Sequence, residues 1–222
     1  MLDCQVHRAE FQQRMVAVRS LLNAAHSATG SGISPDISKE TRGLAILLLY
    51  AAYENMLTTL SRSLLEVAAR LRVGNKRLRH GFKIFAVHSK LQSTSASSET
   101  AIWRSGLDLM DTLSDGRRCT ISPNIFPNDG SNFRRSQVST FCNVFGLSDP
   151  GPVLREVWQR LDTIVIDRNA IAHGREAPGD VGRRYTLPEL YALVDLWEKR
   201  WMEFIAWVES AASSRDFYRT PR

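Results

Sequence analysis

Three residues in the stretch Val165 to Gly174, VIDRNAIAHG, have types and spacing suited to chemistry: Arg168, Asn169 and His173. Asn169 and His173 are four apart, so on a helix they stand one above the other on one face. Arg168 leaves the same helix about 100 to 140 degrees round, an angle its long stem can span. Arg presents a planar fork of donors that matches phosphate, and His exchanges a proton near neutral pH. Together they suit acid–base chemistry at a phosphate group. Two plainer readings fit the same spacing: a core Arg held in a salt bridge, and a His that closes a helix. Context sets Arg168 apart without deciding between these readings: it interrupts an apolar stripe, and a charge there must be paired or face a cleft.

The element that must carry these residues runs from Val153 to His173. Leu154, Val157, Trp158, Leu161, Ile164, Val165 and Ala172 recur at helical spacing as one buried face. Gly174 predicts a left-handed stop directly after His173. Pro150 to Pro152 opens this helix, and Thr186-Leu187-Pro188-Glu189 is a capping box for a final helix through Leu190, Val194, Trp197, Trp201, Phe204 and Val208. A short connection makes the last two helices an antiparallel hairpin.

Upstream, Lys39 to Leu71 is the longest helical pattern and the predicted central helix, with Leu44, Leu47, Leu48, Ala51, Leu57, Leu60, Leu64 and Val67 as its core. Glu54 sits on the shoulder of that face, where it either meets a cation or turns to solvent. Leu2 to His26 reads as an amphipathic helix buried through Val6, Phe11, Met15, Val18 and Leu22, with His7 and His26 on the surface. Ser27 to Ser38 reads as a loop.

Between these lie a helix over Asn75 to Leu91, packed through Phe82, Phe85 and Val87, and a Ser-rich loop from Gln92 to Ser98. A helix over Glu99 to Leu113 follows, buried through Trp103, Leu107, Met110 and Leu113. Arg117 to Arg135 is a long connection, with a short extended piece at Cys119 to Ser122. Ser136 is positioned to cap a short helix that ends at Gly146. The basic groups cluster in two places. Arg70, Arg72, Lys76 and Arg77 surround a turn at Gly74, and Arg175, Arg183 and Arg184 lie in a Gly-containing loop after His173; both can track phosphates or be solvated surface.

Arg168-Asn169-Ala170-Ile171-Ala172-His173 resembles the Arg, polar, three variable residues, His signature of HEPN domains. Asn124-Ile125-Phe126-Pro127, Ser136-Gln137-Val138 leading to Phe145-Gly146-Leu147, and the closing Arg-Asn-x-Ile-Ala-His-Gly resemble the bacterial RiboL-PSP branch. The likeness covers about Lys39 to Trp207, most specifically residues 124 to 174. It implies an all-α, up-and-down helical bundle. It also implies a metal-independent endoribonuclease in which Arg168 binds the scissile phosphate and His173 moves a proton between the ribose 2'-hydroxyl and the leaving oxygen. Asn169 would position the phosphate or imidazole, and Glu54, preceded by an aromatic residue, would hold the pair. The resemblance further implies RNA as partner and a homodimer with two motif helices facing across a cleft. The biological role it suggests is a toxin or effector of bacterial stress and phage defence, with an antitoxin or other regulator encoded nearby. A non-catalytic RNA- or nucleotide-binding module is the alternative. Relatives paired with small nucleotidyltransferases often carry a Tyr two residues after the His; Arg175 stands there, which argues against regulation through such a Tyr.

Composition bounds the rest. A chain of 222 residues with 43% hydrophobic content and five Trp is predicted to fold as one domain, residues 1 to 222, with a frayed basic tail at 213 to 222. A net charge of +6 and pI near 9.5 favour an anionic partner, although 24 of the 29 basic residues being Arg also fits a compositional bias. Cys4, Cys119 and Cys142 are widely spaced, which suggests reduced thiols in the cytoplasm and neither a zinc site nor a disulfide framework. No cofactor motif is present: Gly30 and Gly32 lack the Lys-Ser or Lys-Thr of a phosphate loop. The start lacks the apolar stretch of a signal peptide. The longest apolar run, Leu44 to Tyr53, is half a membrane span, so no membrane partner is expected.

Overall fold

Four long helices make the frame, and the apolar spacing of each decides which side it buries. The structure, a computed structural model, describes residues 1–26, 35–126 and 133–221. Among these residues the elements are α1 (Gln5–His26), α2 (Pro35–Arg70), α3 (His80–Ala86), α4 (His88–Ser95), α5 (Ile102–Ser114), α6 (Arg135–Phe145), α7 (Gly151–Ala172), α8 (Pro178–Gly182) and α9 (Leu187–Ala211), with single 3-10 turns at Asn75–Arg77 and Arg215–Phe217. No strand occurs among the described residues, only isolated pairings of Gly74 with Arg118 and Leu78 with Arg219. The protein is all-α, as the periodicities predict.

α1, α2, α7 and α9 alternate in direction. His7 meets Ser63 and Glu10 meets Asn55, so α1 and α2 run antiparallel. Arg8 pairs with Glu209 and Arg19 with Asp195, which sets α9 antiparallel to α1; Arg200 pairs with Glu156 near the start of α7 while Tyr185, just before α9, meets Asp167 near its end, which sets α7 antiparallel to α9. At their centre the Tyr53 ring lies 4.5 Å from that of Trp201 and 5.8 Å from that of Trp197, and its hydroxyl donates to the Phe133 carbonyl at 2.7 Å. A second aromatic cluster, Phe82, Phe85, Phe126, Phe141 and Phe145, joins α3 to α6. α2 is the one described helix long and apolar enough to cross a membrane, and here it is the core of the bundle.

The ends of α6 and α7 and the start of α9 follow the sequence signals. Gly174 has a φ of 65° and Gly146 a φ of 71°, left-handed stops that cost a glycine nothing. Thr186 accepts from the Glu189 amide at 3.4 Å while the Glu189 carboxylate accepts from the Thr186 amide at 2.7 Å, closing the predicted capping box.

Other expectations need correction. α2 begins at Pro35, so residues 35 to 38 are helix and not loop; residues 27 to 34 lie outside the described residues, as do 127 to 132 of the long connection. Leu44 and Leu48 are exposed at 40% and 41%, and Ala45, Ile46, Leu49, Tyr50, Ala52 and Tyr53 are buried in their stead. A helix apolar almost all round carries too little periodicity to fix which side faces inward. Along α1 the buried line is His7, Phe11, Met15, Val18 and Leu22, continued by Cys4 just before the helix, with Val6 exposed, so His7 is a core residue; the side chain of His26 is outside the description. Ala172 is exposed, because α7 ends beyond its packing partners.

The expected helix over Asn75 to Leu91 breaks into a 3-10 turn, α3 and α4. Arg79 is extended because its amide donates to the Tyr218 carbonyl and the chain at Leu78 pairs with Arg219. The same contacts correct the frayed tail: Tyr218 is buried and the Thr220 amide donates to the Arg77 carbonyl at 2.8 Å. The Ser-rich segment continues α4 to Ser95, its hydroxyls turned back onto carbonyls one turn earlier, as Ser93 does to Ser89. α6 starts one residue before Ser136, closed by Gln137 accepting from the Arg134 amide at 2.6 Å. α5 forms as predicted, but Trp103, Leu107 and Met110 face outward.

Candidate functional site

Arg168 lies in the penultimate turn of α7, where the stripe that buries Leu161, Ile164 and Val165 turns toward α2. Among the described residues its guanidinium is held from at least three directions. The carbon Cζ sits 4.5 Å from the centre of the Tyr50 ring, Nη1 donates to Asn169 Oδ1 at 2.8 Å, and Nη2 lies 3.9 Å from Glu54 Oε2. Tyr50 and Glu54 are one turn apart on α2, and the Tyr50 hydroxyl donates to Glu54 Oε1 at 3.1 Å. Burial, followed by the Glu54 charge, pushes the Tyr50 phenol up to about 12, so it remains a donor across the physiological range. The side chain of Arg168 stays a quarter exposed.

Asn169 is buried. His173 closes α7 as its C-cap, with its amide donating to the Asn169 carbonyl at 3.1 Å and its ring exposed. Arg168, Asn169 and Glu54 are thus brought together, and His173 stands about 6 Å further along the helix axis from Asn169. An anchored cation beside a solvent-facing imidazole is an arrangement that can seat an anion and exchange a proton next to it.

The loop after His173 is fastened from below by a residue the sequence reasoning did not single out. Asp167 is 2% exposed, and it accepts from Arg184 Nη1 at 2.5 Å and from the Tyr185 hydroxyl at 2.6 Å. Arg184 also pairs with Glu176, and the Glu176 hydrogen bond comes first among the causes that raise its pKa. Burial, then the bond to Asp167, raises the Tyr185 phenol. Asp167 falls three residues after Ile164, on the apolar side, and this was the only signal available for it. α8 then locks onto the start of α2: a Cβ on Gly43 would stand 2.0 Å from the Pro178 carbonyl oxygen, and one on Gly182 would stand 1.9 Å from that of Lys39.

The basic candidates separate into two groups. Arg175, two residues after His173, is exposed; Arg183 is exposed too but lies against the start of α2 and meets Asp180 at 3.5 Å, whereas Arg184 is engaged as described. Arg70 and Arg72 line an open depression with Arg118, and Lys76 and Arg77 follow in the adjoining 3-10 turn. Arg72 adopts a φ of 54°, uncommon for a side-chain-bearing residue. Glu54 and Arg70 are sixteen residues apart on α2, about 24 Å at 1.5 Å per residue, so this group is remote from Arg168. A cavity of about 210 Å³ lies on another side of α7, lined by Arg160, Arg184, Tyr185 and Glu189. Among the described residues no group of three His, Cys, Asp or Glu could hold a metal ion.

Comparison with known proteins gives one positive result. A family model described as RiboL-PSP-HEPN matches residues 9–185, from α1 to the end of the loop that follows His173. No curated protein and no solved structure matches the chain.

Proposed function

We propose that this chain, which belongs to the RiboL-PSP-HEPN family, is a metal-independent endoribonuclease. The observation that carries the proposal is the fixed guanidinium of Arg168, set between Tyr50, Asn169 and Glu54 at the helix end where His173 is open to solvent. A contact of 3.9 Å to a part-exposed carboxylate is loose, and a phosphate oxygen can take its place at Nη2. Arg168 then binds the scissile phosphate and stabilises the charge that builds on its oxygens. His173 takes the proton of the ribose 2'-hydroxyl, the O2'–P bond forms and the P–O5' bond breaks. The leaving O5' receives a proton from the imidazolium of the same residue or of the partner's His173. Asn169 keeps the guanidinium in plane, and Glu54 holds it in the free protein.

The proposal includes a homodimer with two such helix ends across one cleft, which doubles the cations offered to phosphate. Arg175 beside the cleft, and Arg183, Arg70, Arg72, Lys76 and Arg77 further off, guide the RNA backbone, with Arg184 joining them through its exposed half. The biological role proposed is a cytoplasmic toxin or effector of bacterial stress or phage defence, held in check by an antitoxin or other regulator encoded nearby. Three buried, unpaired thiols support a reducing compartment.

A second reading is a module that grips RNA or a nucleotide without cutting it. It is favoured by the His173 ring, which has no hydrogen-bond partner among the described residues to orient it. The test is cleavage of total RNA by the purified protein in the presence of EDTA, wild type against His173→Ala. Cutting by wild type alone supports the nuclease, whereas RNA bound but intact supports the module. Cutting that vanishes with EDTA and returns with a divalent ion overturns the assigned chemistry.

A further inference from the structure

From α5 we infer an interface between two copies of this chain, in which the outward face of one α5 lies antiparallel on the same face of the other. The inference is independent of the RNA reading. Along α5, Trp103, Leu107 and Met110 recur at helical spacing and are exposed at 78%, 68% and 61%, with Ile102 beside them at 43%. The opposite side of the helix is the one packed at home: Ser105 meets Ser97, Asp108 pairs with Lys90 of α4, and the Thr112 carbonyl accepts from Asn75. The apolar side chains therefore form a continuous stripe that the chain itself leaves in water. Such patches mark sites of association.

Three features favour a second copy as the occupant. First, Arg104 and Asp111 are seven residues apart and so flank the stripe on the same edge, with no ion pair to either among the described residues. When two α5 helices cross antiparallel about a twofold axis between Leu107 and Asp108, like edges meet and Arg104 of each copy comes opposite Asp111 of the other. Asp108, nearest the axis, is already neutralised by Lys90. Second, the four apolar side chains leave on the order of 500 Å² uncovered per copy, so a pair can remove up to about 1,000 Å², the size at which specific interfaces begin. Third, Gly106 sits in the middle of the helix with nothing within 4 Å of where a Cβ would stand. A helix-interior glycine weakens the lone helix, and the missing side chain lets a second backbone approach closely.

This contact is separate from the motif-facing pair proposed above, since α5 rests on α4 and the turn at residues 75–77. A chain with two self-complementary faces assembles into four-copy rings or open chains. The test uses the full-length protein. Leu107→Cys, placed next to the axis, is expected to give a disulfide-linked pair under mild oxidation. The wild type is expected to give none, because Cys4, Cys119 and Cys142 are buried. In sedimentation analysis Leu107→Asp is expected to lower the assembled mass, to half for a four-copy ring and to that of a pair for an open chain, while Arg168→Ala leaves it unchanged. Arg104→Asp and Asp111→Arg alone should each weaken association at least several-fold, and the double variant should restore it to within about twofold. No cross-link together with an unchanged mass for Leu107→Asp overturns the inference. Single charge variants without effect overturn the antiparallel register.

Discussion

The guanidinium of Arg168 lies over the ring of Tyr50, with 4.5 Å between its central carbon and the ring centre, and the Tyr50 hydroxyl is turned away to Glu54. Face and hydroxyl thus do separate things: the face holds the cation in place, and the hydroxyl holds the carboxylate. Tyr50→Phe keeps the face and is expected to retain RNA cleavage to within about threefold. Tyr50→Leu removes it and should lower kcat/KM by about tenfold, the middle of the range for a part-buried cation over an aromatic ring. Equal losses in the two variants would mean that Glu54, and not the ring, sets the position of Arg168.

Removal of Arg168 separates a chemical role from a structural one. Arg168→Ala should abolish cleavage while the protein stays folded and dimeric. A variant that unfolds would show Arg168 to be a core salt-bridge residue.

Product ends test the route of the proton. Attack by the 2'-hydroxyl must leave 2',3'-cyclic phosphate and 5'-hydroxyl termini, and a single 2'-deoxyribose at the cut site should block cleavage there. His173→Ala should stop cutting and still bind RNA, with affinity that weakens as salt rises. Products with 3'-hydroxyl ends would require a different nuclease chemistry.

Asp167 is the residue whose loss should be felt furthest from itself. Asp167→Asn weakens the hold of α7 on Arg184 and Tyr185. Since Arg184 is half-exposed and keeps Glu176, the expected cost is about 2 kcal/mol, or a fall in melting temperature of roughly 4–8 °C. The loop bearing Arg175 and Arg183 should then exchange its amide hydrogens faster. Unchanged exchange across residues 174 to 186 would show that α8 alone holds the loop.

His7 gives the bundle a dependence on pH. Burial is the main cause of its lowered pKa, against weaker opposing effects of Glu10, Asp3 and Glu209, with Arg8 acting in the same direction as burial. The unfolded chain therefore binds a proton at a higher pH than the folded one. Stability should be complete above the unfolded value near 6.5 and should fall as pH drops below it toward the lowered folded value. Melting temperatures of wild type and His7→Gln should differ in slope between pH 5 and 7; parallel curves would contradict the assignment.

What the sequence disclosed depended on how strong and how local each signal was. Gly174, Thr186 with Glu189, and the stripe from Leu154 to Val165 are short-range patterns, and each stands where its spacing predicts. The inward side of α2 was hidden because its leucines surround the helix, and that phase is what puts Tyr50 under Arg168. The partners of Asp167 are 17 and 18 residues along the chain, a separation that no helical period encodes. The α5 stripe was legible as a stripe. The spacing could not say whether the surface covering it would belong to the same molecule, since a helix face obeys the same period whichever chain lies against it.

With RNA as the proposed partner, the distance along α2 from Glu54 to Arg70 sets a ruler for oligonucleotides. A stacked strand advances about 3.4 Å per nucleotide, so reaching from Arg168 to the depression at Arg72 takes about seven nucleotides. A dinucleotide should report on Arg168 and His173 alone and be indifferent to Arg72→Ala or Arg118→Ala, while a strand of ten or more should register both. Length dependence of KM, with kcat constant, would therefore measure the span of the protein in units of its own substrate.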